Sequence, residues 1–385
     1  MEPQINSIIS WPIVFAILLF LIMILIPFFI ALQELFKPKD NQPLYIDMLH
    51  LKDPFYFGSS FKKIFFDSIN QNGFPENCSE IKLSKKEIID IRDSISLPPK
   101  TRINNLLYVR GDMKTGDKSI FSKEVYASGE CTIGNKNVLR SLYSEEDILL
   151  GSQVKVGRWV YSENNISIQT GSRLGRNVAC RGQLALGRNC KYASLFGNPI
   201  ITLNGSGEID DTLYKGIEYP ETRPLKRDLE WIIYRKHLSV NCTDDCDNEN
   251  SQYKRDIETH FKVNGSYIRT QHSSIIEPNF ISRKNLEIGR NNIIYGCIKC
   301  YRDISIGRDT IVYGNIFAEG NIEINENCIL LGNVFSQAGI FIKKNVKISR
   351  PGFIKSVIGK KRVEMGKDVV IFGYVLTEGE GIIHG

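Results

Sequence analysis

A six-residue frame limits what this chain can fold into more than any other feature. From Leu286 the sequence divides into LEIGRN, NIIYGC, IKCYRD, ISIGRD, TIVYGN, IFAEGN, IEINEN, CILLGN, VFSQAG and IFIKKN. The first and third places are mostly apolar or small, and the sixth is mostly Asn, Asp or Gly. The same frame runs from Ile148 as ILLGSQ, VKVGRW, VYSENN, ISIQTG, SRLGRN, VACRGQ and LALGRN. Alternate side chains of a strand point the same way, so places one and three face inward and places two and four face out. Places five and six turn a corner, where residues that tolerate a left-handed backbone collect. A chain that turns every six residues is a solenoid.

The larger period is eighteen, three corners to a turn. Leu286, Ile304, Ile322 and Ile340 fall in one column, Ile288, Ile306, Ile324 and Ile342 in a second, and Gly296, Gly314 and Gly332 in a third. The expected fold is therefore an all-β solenoid, a triangular parallel β-helix. Hexads alone leave its hand open, because left-handed acyltransferase coils use six-residue units too. The column Asn291, Asp309, Asn327, Asn345 would stack at the inter-strand spacing of about 4.8 Å. It reads first as turn chemistry, since backbone demands choose corner residues before side-chain ladders do. Arg290, Arg308, Glu326 and Lys344 beside it read as solvated surface.

Length bounds little here, because each turn of a repeat array packs only on its neighbours. The net charge of +6 comes from 49 basic and 43 acidic residues interleaved through most of the chain. That is too diffuse to argue for nucleic acid. Cys131, Cys180, Cys190, Cys300 and Cys328 sit at or near core places, where free cysteine acts as a small hydrophobe. No short-range disulfide framework is visible, which favours a reducing compartment.

Residues 8–32, IISWPIVFAILLFLIMILIPFFIAL, carry no charge. At 1.5 Å per residue this stretch is long enough for a hydrocarbon core of roughly 30 Å. It is expected to be a transmembrane anchor within residues 1–36, with Trp11 at the interface and Phe15, Leu19 and Ile26 facing lipid. A cleaved signal peptide would need a basic leader and a small-residue cleavage site, and neither is present. Lys37, Lys39 and Lys52 follow the stretch and no basic residue precedes it, so the positive-inside rule keeps the C-terminal part in the cytoplasm.

The remaining chain divides at composition changes. Residues 37–105 read as a connector with short helices at 60–69 and 84–95, the second opened by the capping pair Ser84 and Glu87. These helices are placed where they could pack on and shield the first rung. Residues 106–204 form a first β-helix block and residues 263–385 a second. Residues 205–262 break the frame as an insertion. In it Leu225, Leu229, Ile232 and Ile233 follow helical spacing, and NCTDDCDNENSQ reads as a loop. Extra residues enter again after Val346.

Candidates for chemistry are sparse. His272, after a strand-like SYIRT, is the one reasonable general base. Cys242, Cys246, Asp244, Asp245 and Asp247 match no zinc or calcium spacing. No phosphate-cradling glycine loop or nucleophile elbow occurs, so no cofactor or metal is expected. Past Val369–Val375 only LTEGEGIIHG remains, with no helix to cover the last rung. An uncovered solenoid end leaves strand edges open, so Val369, Ile371, Phe372 and Val375 are expected to form a stacking surface.

The tandem segments ISIGRDTIVYGNIFAEGN and IEINENCILLGNVFSQAG, with G-N-I and G-N-V steps, resemble the bactofilins, polymer-forming cytoskeletal proteins of bacteria. The resemblance covers about residues 106–203 and 263–385. It implies a right-handed triangular β-helix that assembles end to end without nucleotide and without catalytic residues. The implied setting is the bacterial inner membrane, with the bilayer, other copies and cell-envelope proteins as partners. The anchor, the connector and the insertion depart from the short family pattern. Two other readings stand beside this scaffold: a hexapeptide-repeat acyltransferase on a left-handed coil, and a rigid module binding a protein or polysaccharide through outward Tyr295, Tyr313 and Phe317.

Overall fold

The computed structural model of the chain describes residues 11, 14–24, 53–72, 79–82, 88–203, 238–240, 261–277 and 279–385. Two compact units divide it, Met1–Lys52 and Asp53–Gly385. In the first, residues 11 and 14–24 are helical with exposed side chains. The second is a β-solenoid of about 13 turns with few helices.

Three parallel strand columns build each half. In the first half, Ile88–Arg92 pairs with Leu106–Val109, Ile95–Leu97 with Met113–Thr115, and Arg102–Ile103 with the start of Ile120–Ala127. In the second half the step is eighteen residues: Leu286 lies on Ile304, Ile304 on Ile322, and Ile322 on Ile340. Inward places alternate with outward ones, as in Ile322–Ile324, where both isoleucines are buried and Glu323 is not. One buried core runs through both halves. Each of its isoleucines is worth about 1.5–3 kcal/mol of burial.

The corners are not alike. A left-handed backbone occurs at one corner of each turn: Lys100, Lys118, Lys136, Gln153, Gly171 and Asn189 in the first half, and Ser273, Asn291, Asp309, Asn327, Asn345 and Asp368 in the second. The Asn column also forms the side-chain ladder. Asn327 Nδ2 donates to Asp309 Oδ1 and Asn345 Nδ2 to Asn327 Oδ1, each at 2.9 Å. The glycines of the Gly314 and Gly332 corner have another cause. A Cβ on Gly314 would strike the carbonyl of Gly296, and one on Gly332 the carbonyl of Gly314, so close stacking excludes a side chain there. In the first half a corner is made inside continuous strands. Ile120–Ala127, Val138–Ser144 and Lys155–Ser162 each shift register near their middles. A bulge of this kind needs no Asn or Gly.

The helix expected over 84–95 is not present in the described part of that span. Residues 88–92 and 95–97 are strands, and Ile89 and Ile91 are buried on alternate places. The first half therefore begins near residue 88 rather than 106. The expected helix at 60–69 falls within Tyr56–Asn72, which lies along the side of the first half instead of over its first rung. Ser84, Glu87 and Leu225–Ile233 lie outside the described residues. Part of the insertion, Leu238–Val240, is a strand lying parallel to Phe280–Ser282.

The halves meet tail to tail. Strand Lys191–Thr202, the last turn of the first half, pairs antiparallel with strand Val370–Ile383, the last turn of the second. The pairing wraps around the coil: Tyr192 faces Gly381, Leu195 faces Val375, and Ile200 faces Ile371. Chain direction around the axis therefore reverses at the middle. The edge expected to be open at the C-terminal rung is closed by the chain itself, since Leu195 and Ile200 supply apolar partners and backbone groups in register.

Candidate functional site

The junction is the most elaborate polar and apolar contact in the described residues. Val369, Ile371, Phe372 and Val375 are buried there and pack within this chain. The surface proposed from sequence for a second copy is thus already filled. Tyr192 lies in the middle, its hydroxyl donating to the Val363 carbonyl at 3.2 Å. Thr202 works both ways: its Oγ1 donates to the Gly366 carbonyl at 2.7 Å and accepts from the Val369 amide at 2.8 Å. Lys191 Nζ pairs with Glu380 at 2.8 Å on the rim.

A second built surface runs up the side of the first half. Tyr108, Tyr126, Tyr143 and Tyr161 point outward, one per turn, and continue to Phe196 and Tyr374 at the junction. Tyr126 and Tyr143 stack at 4.8 Å, and Tyr143 and Tyr161 at 4.9 Å. Helix Tyr56–Asn72 covers them, with Phe65 stacked on Tyr126 at 5.1 Å. Just before it, Phe55 meets Tyr161 at 5.3 Å and Phe196 at 5.1 Å. The phenols reach carboxylates at the rim. Tyr126 donates to Glu145 at 2.5 Å and Tyr143 to Glu163 at 2.6 Å. Lys62 of the helix pairs with Glu145 at 2.7 Å, and Arg181 pairs with Glu163.

Titration follows this packing. Burial first, and then the bond to a carboxylate, pushes Tyr126 and Tyr143 far above the usual phenol range. At Glu163 burial opposes ionisation, but the donors Tyr143 and Arg181 outweigh it and hold the carboxyl below its ordinary value. Burial also pushes the core thiols Cys131 and Cys328 up to about 12.

This tyrosine column was missed in the sequence, although L-Y-V, V-Y-A, L-Y-S and V-Y-S place the tyrosines 18, 17 and 18 residues apart. The 17-residue step hides them from a fixed frame.

The other expected residues are dispersed. Tyr295 and Tyr313 stack at 4.8 Å, one turn apart. Phe317 stacks on Phe335 at 5.2 Å, with Lys299 Nζ 5.8 Å from its ring. His272 is exposed at a corner, where its Nδ1 accepts the Arg290 amide at 3.0 Å. A shallow groove of about 460 Å³ on the second half includes Tyr267, Glu287, Asp303, Glu323 and Phe341. Trp11, Phe15 and Leu19 are exposed on the described helical residues. Ile26 and the loop with Cys242, Asp244, Asp245, Cys246 and Asp247 lie outside the described residues. Among the described residues no helix is long and apolar enough to cross a membrane, and no three His, Cys, Asp or Glu side chains gather as a metal site.

Comparison with protein-family models, with curated proteins and with solved structures finds no match.

Proposed function

We propose that this protein is a membrane-tethered structural scaffold, bactofilin-like in its repeats, whose work is mechanical rather than catalytic. The observation that carries the reading is the tail-to-tail junction, which joins two β-helical halves through one core into a single body. About 13 turns at roughly 4.8 Å each make a rod of about 60 Å. Strand pairing continues through its middle, so bending it breaks hydrogen bonds and core contacts together. The resemblance gives the coil a right-handed sense. The uncharged stretch at 8–32 is the tether to the inner membrane, leaving the rod on the cytoplasmic side.

Self-association in this reading uses the outer ends, because the C-terminal edges are consumed within the chain. Among the described residues Ile95–Leu97 and Ile275–Ile276 each pair on one side only, and Ile275 is 57% exposed. Both outer ends begin a block, so copies join end to end without a fixed polarity. Antiparallel strands Glu80–Lys82 and Phe261–Asn264 limit how much edge each end offers. Fractionation of cells expressing the full chain tests the tether, and electron microscopy of residues 53–385 tests the assembly. Detergent-dependent extraction and rods joined at their ends are expected. A full chain soluble without detergent refutes the tether, and monodisperse single rods at every concentration refute the scaffold.

A further inference from the structure

The turn before the junction departs from the repeat in both shape and charge. Between Lys343 and Arg362 the sequence carries eight cations, Lys343, Lys344, Lys347, Arg350, Lys355, Lys360, Lys361 and Arg362, and no carboxylate. This segment alone carries more positive charge than the net +6 of the whole chain. Some of these charges are matched by neighbouring turns, Lys343 by Glu323 at 3.2 Å and Arg362 by Glu364 at 2.8 Å.

The extra residues of this turn form a protruding loop between strands Lys347–Ile348 and Lys355–Gly359. Its conformation is fixed. Ser349 and Gly352 have left-handed backbones, the Phe353 amide donates to the Arg350 carbonyl at 3.1 Å, and the Ser349 hydroxyl donates to the Phe353 carbonyl at 2.5 Å. The result presents Phe353 and Ile354 at its tip, 50% and 53% exposed. The Arg350 guanidinium lies over the Phe353 ring at 4.1 Å. Two adjacent apolar side chains held outward between cations have the composition of an interfacial anchor rather than of a solvated turn.

The loop sits beside the junction strand. Lys355 pairs with Gly373 and Ser356 with Tyr374, on the second half's junction strand. Tyr374 packs on Phe196 at 4.6 Å, and Phe196 on Phe55 at 5.1 Å. The Pro54 carbonyl accepts from Asn177 at 2.9 Å. The loop is thus within a few strands of the tail-to-tail junction and of Pro54 and Phe55.

We propose that the Arg350–Lys355 loop is a membrane-contacting wedge, in which Phe353 and Ile354 enter the interface of an anionic bilayer and Arg350 and Lys355 face its headgroups. The choice of an anionic bilayer as occupant rests on the proposed function and on the cations that flank the exposed apolar tip.

The test uses residues 53–385, the compact unit without the tether, so it fails or succeeds independently of the anchor. Co-sedimentation is measured with vesicles of about one part phosphatidylglycerol to three parts phosphatidylcholine, against phosphatidylcholine alone. The unit is expected to bind the anionic vesicles, more weakly as salt rises, and the F353S/I354S variant to bind roughly tenfold more weakly. The R350Q/K355Q variant should lose the preference for anionic lipid. Unchanged thermal melting shows that the variants fold. Absence of vesicle binding by the unaltered unit, or equal binding by F353S/I354S, overturns the proposal. So does loss of concentration-dependent self-association in F353S/I354S without any vesicle binding, which would make the loop a contact between copies. Membrane extraction of the full chain reports on the anchor alone.

Discussion

Removing the Tyr192 side chain should uncouple the two halves. Tyr192 is fully enclosed at the junction, its ring against Gly381 and its hydroxyl on the Val363 carbonyl. Deleting a buried aromatic ring to alanine costs about 3–5 kcal/mol through lost contacts and the residual cavity. The abandoned hydrogen bond adds about 1 kcal/mol. Tyr192→Ala should therefore remove about 5 kcal/mol from the stability of residues 53–385, read from urea denaturation. Because each turn of a solenoid is held by its neighbours, loss of the shared contact should also split one cooperative transition into two. The companion change is Gly381→Ala. A Cβ there would fall on the Tyr192 ring, so this substitution should destabilise the native protein and cost much less in the Tyr192→Ala background. That non-additivity is the signature of contact in a double-mutant cycle. Additive effects, or a single transition with Tyr192→Ala costing under about 1 kcal/mol, would refute the tail-to-tail junction.

Three further outcomes follow from particular side chains. Asn327 holds a left-handed backbone and two ladder bonds, so Asn327→Ala should cost about 1–2 kcal/mol, and Asn327→Gly, which keeps the backbone and loses the ladder, should cost less in thermal unfolding. Native-state thiol labelling should modify Cys297, which is exposed, and spare Cys131, Cys180, Cys190, Cys300 and Cys328, as read by peptide mass mapping. Glu163 is held below its ordinary carboxyl value, so its ion supplies stability above the unfolded carboxylate range and loses it as pH falls through the lowered value. Glu163→Gln should be less stable than the native protein at neutral pH, and the difference should shrink below about pH 4.

The second half was legible in the sequence because its turns from Leu286 to Ile340 solve the same problem at the same spacing. Leu286, Ile304, Ile322 and Ile340 give away both the inward face and the turn length. The first half was harder for a physical reason: its bulged corner needs no marker residue, and 17-residue steps, as from Val125 to Leu142 and from Val178 to Leu195, slip the frame. Residues 84–95 failed through competing periods. Ile88, Ile91 and Ile95 fit a helix, while Ile89 and Ile91 fit a strand, and pairing with Leu106–Val109 decided for the strand. Of the candidate site, the apolar character of Val369, Ile371, Phe372 and Val375 was readable, and so was their need for a partner strand. The partner's identity was not, because Leu195 and Val375 meet across a separation that leaves no periodic trace.

That last failure shows why solenoid ends have to be argued from tertiary structure. A C-terminal edge with no following helix can be closed by another copy, by a cap, or by a distant turn of the same chain, and all three leave the same local sequence. What separates them is reciprocity. An antiparallel junction requires two terminal turns whose inward and outward places match when the direction reverses. Here Leu195 and Val375 both face inward while Phe196 and Tyr374 both face outward. The match holds on other faces too, at Ile200 with Ile371 and at Tyr192 with Gly381, where the missing side chain makes room for the ring. A single face could match by alternation alone, since any two strands agree in half of their registers. Agreement around the whole coil, with Gly381 opposite the Tyr192 ring, is a constraint on both turns at once, and it ties the two halves into one rod.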